Sequence, residues 1–144
     1  MILLNGTTVY SQQIADSLYN PEIKSKMYLD DSGTVIHIDA AHNNFHTKDG
    51  RYYSCAQLLR SDGYRVEDNS SKFDDNSLKG IEILIIANAI SDNVTRPITT
   101  PTESAFTVKE IKELKKWVKK GGSLFLIADH MPFAGASSEL AKEF

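Results

Sequence analysis

The chain has 144 residues, long enough for one domain with a real core, and its composition is that of a globular protein, 41% hydrophobic and 24% charged. Nineteen acidic against sixteen basic side chains give a net charge of -3, without the basic stripe expected of a nucleic-acid binder. No apolar run reaches the length of a membrane span, and the single cysteine, Cys55, excludes an internal disulfide and a four-thiolate zinc site.

Residues 1–31 read as a leader or extended arm ahead of the domain at 32–144. Met1-Ile-Leu-Leu is apolar but too short for a signal peptide and has no basic start. Val9-Tyr10-Ser11 before Gln12-Gln13 fits the tail of an export signal, which would make the protein periplasmic or secreted; a disordered leader fits the same residues equally well. From Ser17 to Tyr28 the apolar spacing suits an arm laid on the domain, and Asp30-Asp31-Ser32-Gly33 makes a turn.

Thr34-Val-Ile-His-Ile-Asp39 is the first expected strand, short and β-branched. It runs into a polar loop in which Asp39, His42, Asn43, Asn44 and His46 fall within eight residues. A helix is expected from Asp49-Gly50 to Asp62, with Gly63 as its stop, and then an alternating strand at Tyr64–Glu67. Asp74 to Lys79 reads as a one- or two-turn helix. Ile81–Ala87 is the strongest strand, apolar on both faces and therefore central and parallel. Asn88 ends it, and 88–104 forms a long loop of the kind that serves as a lid or binding loop.

Thr107 and Glu110 then have capping-box spacing, and Phe106 with Ile111 is placed as a hydrophobic staple. The helix they start buries Ile111, Leu114, Trp117 and Val118 and stops at Gly121-Gly122. Ser123–Ala128 is the fourth strand, Asp129–Gly135 its loop, and Ser137 or Ser138 caps a last helix. This alternation predicts an α/β fold: a flavodoxin-like three-layer sandwich on a parallel sheet of order 2-1-3-4.

On that topology three strand ends meet at one edge, bringing Asp39, His42, Asn43 and His46 beside Asn88, Asp129 and His130. Such edges carry ligand sites in open α/β sheets. Imidazoles and carboxylates together suit a divalent metal such as zinc, iron or manganese. They equally suit acid–base chemistry, with His42, His46 or His130 moving protons and Asp39 or Asp129 fixing a tautomer. A third possibility is recognition of a small polar molecule, a carbohydrate or metabolite, with Phe45, Tyr52 and Phe133 nearby. The bland alternative is structural: Asp39, Asn43 and Asn88 tie down loop backbone while His42 and His130 pair with carboxylates. No nucleophile elbow, Walker loop or dinucleotide glycine fingerprint is present, so no nucleotide cofactor is expected. Cys55 falls on the apolar face of a helix.

The segments His37-Ile-Asp39-Ala-Ala-His42-Asn-Asn-Phe-His46-Thr, Leu58-Leu-Arg-Ser-Asp-Gly63-Tyr64, Ile86-Ala-Asn88-Ala and Gly121-Gly-Ser-Leu-Phe-Leu-Ile-Ala-Asp129-His130-Met-Pro-Phe-Ala-Gly135 together resemble the class I glutamine amidotransferase-like superfamily. The resemblance covers about residues 34–144 and points to a branch of mostly uncharacterised bacterial proteins that often carry export signals. It implies the flavodoxin-like sandwich and no established reaction. The chain departs from true amidotransferases in lacking a cysteine on a strand-to-helix elbow, which disfavours glutaminase activity. Members also continue past the fourth-strand loop, so the resemblance implies either a fragment or a fourth strand left at an edge, where a homodimer could form.

Overall fold

The computed structural model describes residues 14–94 and 100–144. The 1–13 portion of the leader and the 95–99 portion of the long loop lie outside the described residues. Four strands, β1 (Val35–Asp39), β2 (Arg65–Asn69), β3 (Ile83–Ala87) and β4 (Ser123–Ile127), form one sheet of order β2-β1-β3-β4. Every pairing is parallel, with Ile36 opposite Val66 and Ile83, and Ile85 opposite Phe125. Fold class and strand order are those expected from the sequence.

The pleat of the sheet explains the two covering layers. On β3, Leu84 and Ile86 point to one face and meet Ile111, Leu114 and Trp117 of α2 (Val108–Lys119). Ile85 points the other way, and with Ile36, Ile38 and Val66 it packs against Ala56 and Leu59 of α1 (Tyr53–Ser61). A strand sandwiched in this way must be apolar at every position, which is why β3 is the strongest strand signal in the chain.

Helix α2 starts as its sequence requires. The Thr107 hydroxyl accepts from the Glu110 amide while the Glu110 carboxylate accepts from the Thr107 amide, closing the capping box. At its other end the Trp117 indole donates to the Ile81 carbonyl at 2.9 Å. Gly122 passes so close to that ring that a Cβ there would lie 2.2 Å from it.

Several boundaries differ from the sequence expectation. Helix α1 begins at Tyr53 rather than near Gly50, because Tyr52 and Tyr53 donate to Thr47 and Gly50 in tight turns first. Residues 74–79 form turns rather than a helix: Asp74 accepts from the Asn76 and Ser77 amides, and that local bonding competes with helical pairing. Strand β2 runs two residues past Glu67, to Asn69. After β4, two single-turn helices, α3 (Phe133–Ala136) and α4 (Ser138–Ala141), replace a loop and one final helix.

The arm reaches the domain at Tyr28, whose ring meets Tyr64 edge-on at 5.0 Å and whose amide donates to Asp62, while Leu18 and Met27 stay exposed. Gly63 has φ +91°, and a Cβ there would lie 2.3 Å from the Tyr28 carbonyl oxygen, so that crossing requires glycine. Strand β4 lies at the sheet edge with Phe125 60% exposed. Among the described residues no helix is long and apolar enough to cross a membrane.

Candidate functional site

Residues at the carboxyl ends of the strands fall into two groups joined through Asn88 and the loop after β1. The first is internal. Asp39, the last residue of β1, and His42 are both fully buried. The His42 Nδ1 lies 2.9 and 3.1 Å from the two Asp39 carboxylate oxygens, and its Nε2 lies 2.8 Å from Glu110 Oε1 on α2. Phe73 stacks on the ring at 4.6 Å, and Phe106 tilts against it at 4.9 Å.

Both ring nitrogens face carboxylate oxygens, an arrangement only the doubly protonated imidazolium satisfies. Burial opposes that charge and Lys72 adds repulsion, yet the bonds to Asp39 and Glu110 prevail and raise the His42 pKa above its ordinary value of 6.5. Burial likewise works against the charged Glu110, but His42 and the two groups of Thr107 hold its carboxyl below the ordinary range. Asp39 is fastened further by the Asn44 amide at 2.8 Å and the Ala41 amide at 3.3 Å.

The second group faces outward and is built on Asn88. This residue closes β3 at φ 49°, in the left-handed region that asparagine tolerates better than most residues. Its backbone amide donates to Ile127 on β4 and its carbonyl accepts from Phe45 in the loop after β1. Its side-chain oxygen accepts from the Asp129 amide at 3.2 Å, so its nitrogen is the end that faces His46 Nδ1 at 3.1 Å. One side chain thus binds three β-to-α junctions together.

That contact also fixes the state of His46. A nitrogen accepting from an amide carries no proton, so His46 is neutral with its hydrogen on Nε2. Its pKa is lowered, first by burial and then by the charges of Arg51 and His130, with Asp129 opposing. Around it lie Tyr52 at 4.6 Å and Phe45 at 5.4 Å between ring centres, and Phe45 reaches Phe133 at 5.4 Å. The Arg51 guanidinium sits 3.4 Å above the Phe45 ring. Burial foremost, with Cys55 and Asp129 adding to it, raises the Tyr52 phenol pKa, so the hydroxyl keeps its proton.

Asp129 and His130 form an exposed pair, with Nδ1 of the imidazole 2.6 Å from the carboxylate. Partial desolvation pushes the Asp129 carboxyl upward, but His130 and Asn88 outweigh it and leave the pKa lowered.

The residues singled out in the sequence are therefore distributed as follows. His46, Asn88, Asp129 and His130 come together, Asp39 and His42 form the buried unit, and Asn43 turns aside at φ 46° to donate to Asp92 at 2.7 Å. His42 has no surface to offer a ligand. Among the described residues, no group of three or more His, Cys, Asp or Glu side chains is arranged to hold a metal ion. Glu110 was legible only as a helix cap. Its second role, across 68 residues of chain to His42, leaves no local signal. Asn44, next to the residue expected to tie the loop, is the amide that does so.

Beside the buried unit lies a cavity of about 550 Å³ whose lining includes Lys72, Phe73, Phe106, Thr107, Lys109 and Glu110. Another of about 500 Å³ lies at the opposite end of the sheet, against Trp117 and Gly122.

This fold and edge define a flavodoxin-like α/β domain with polar groups at the carboxyl ends of its strands. No protein-family model, curated protein or solved structure matches the chain.

Proposed function

We propose that the chain is an amidotransferase-like α/β domain that binds a small polar ligand at the edge formed by His46, Tyr52, Asn88, Asp129 and His130, without glutaminase chemistry. The observation that carries this reading is the Asn88 junction, which rigidly joins three loops around groups of complementary hydrogen-bonding character. His46 offers an N–H donor, Tyr52 a protonated hydroxyl, and Asp129 and His130 an exposed acceptor and imidazole. Phe45 adds a partly exposed aromatic surface. Such a mixture suits a hydroxylated molecule such as a sugar or hydroxy acid. The left-handed residue closing β3 is an asparagine, and the half-buried Cys55 thiol in α1 has its pKa raised by burial, which supports the absence of glutaminase chemistry.

The test is an NMR titration of the chain with methyl glycosides, hydroxy acids and amino acids, read at the histidine side chains. Binding should shift His46 and His130 together, and His46→Ala should weaken it at least tenfold. Shifts confined to another face, or binding indifferent to His46→Ala, would overturn the assignment.

A further inference from the structure

We propose that His42 is a protonation-controlled latch, closed as the imidazolium between Asp39 and Glu110 and opened at the Glu110 contact when the ring becomes neutral. The buried unit is separate from the ligand edge proposed above, and the inference does not depend on that reading. The charged groups facing the ring are Asp39 from β1, Glu110 from α2 and Lys72 from the connection between β2 and β3. The rings of Phe73 and Phe106 also pack against it and offer no hydrogen bond in exchange for a lost one.

A neutral imidazole keeps one N–H, so one nitrogen must present a lone pair to a carboxylate oxygen at about 2.8 to 3.1 Å. The geometry decides which contact fails. Nδ1 faces both oxygens of Asp39, and Asp39 is pinned by Asn44 and the Ala41 amide. Nε2 faces the single oxygen Oε1 of Glu110. The proton therefore stays on Nδ1, and the repulsion falls on Glu110.

Glu110 Oε1 is also the acceptor for the Phe73 amide at 3.2 Å, whereas Oε2 serves Thr107. Moving Oε1 away frees Phe73, and Phe73, Phe106 and Glu110 are walls of the cavity of about 550 Å³. Opening the latch thus loosens that cavity while the capping box on Thr107 persists. The device makes the Phe73 wall of that cavity responsive to pH above the ordinary histidine value.

The experiment follows the intact chain by NMR from pH 6 to 9, reading the His42 ring nitrogens and the hydrogen-exchange protection of the Phe73 amide relative to those of β1 and β3. The expected result is a His42 midpoint above 6.5, retention of the Nδ1 proton beyond it, and an at least tenfold loss of relative Phe73 protection through the same midpoint. Glu110→Gln, which removes one of the two anions facing the ring, should lower the His42 midpoint. His42→Gln, which removes the titrating ring, should flatten the Phe73 profile. A wild-type midpoint at or below 6.5, Phe73 protection that is level across it, a midpoint unmoved in Glu110→Gln, or wild-type Phe73 pH dependence persisting in His42→Gln would each overturn the latch.

Discussion

At Asn88 a single amide settles the protonation of a histidine in another loop. The side-chain oxygen is taken by the Asp129 amide, leaving the nitrogen for His46, which must accept and so stay neutral. Protonating His46 would set two donors against each other. Because the folded protein lowers the His46 pKa, stability is complete above about 6.5 and falls as pH drops toward the lower folded value. An NMR titration should place its midpoint below 6.5 with the hydrogen on Nε2. Asn88→Ala loses both side-chain bonds and strains the left-handed backbone, at a cost of about 3 kcal/mol in urea unfolding. Asn88→Gly keeps the conformation accessible and should be less damaging by about 1 kcal/mol. Asparagine at a strand end reads from sequence as a turn residue. Which loops it joins depends on where β4 lies, and that is set by packing far along the chain.

Helix α2 links the scaffold to the buried unit through one residue. Glu110 completes the capping box and also supplies the second carboxylate to His42. Thr107→Ala removes the cap and the hydroxyl's bond to Glu110 but leaves the His42 contact, and should cost about 1 kcal/mol. Glu110→Ala leaves a buried imidazolium without one partner and should cost about 3 kcal/mol or more, so unfolding of the two variants separates the roles. The pH dependence has two limbs. The raised His42 pKa gives stabilisation that is complete below about 6.5 and lost as pH rises through the folded value, and the lowered Glu110 pKa gives stabilisation present above about 4.5 and lost as pH falls through its own. The helix itself was legible because cap, staple and stripe are local patterns. The 74–79 segment was misread for the same reason in reverse: its aspartate and serine bond their own turn, and spacing alone does not reveal that competition.

Across the whole molecule, three apolar runs, one alternating segment and the alternation of helix with strand made the sheet and its order readable in the sequence. The division of the strand-end residues was not readable. His42 and His46 are four residues apart, yet one is sealed beneath Phe73 and Phe106 and the other faces outward, because the loop between them turns through the left-handed Asn43. Close approaches at the far end of the fold are equally invisible in the sequence. Gly122→Ala should lower stability by about 2 kcal/mol because its new methyl group would meet the Trp117 ring, a loss that thermal unfolding would register.

Strand β4 ends the sheet with no charge and no proline among Ser123–Ile127, and Phe125 stands open on one side of it. Sheets generally guard such borders with lysines, bulges or covering segments. As the chain stands, crowding should therefore draw these strands toward one another, and concentrated solutions should turn cloudy before dilute ones. Lysine in place of Phe125 would act as a gatekeeper, keeping light scattering low at high concentration while leaving the folded state essentially as stable as before.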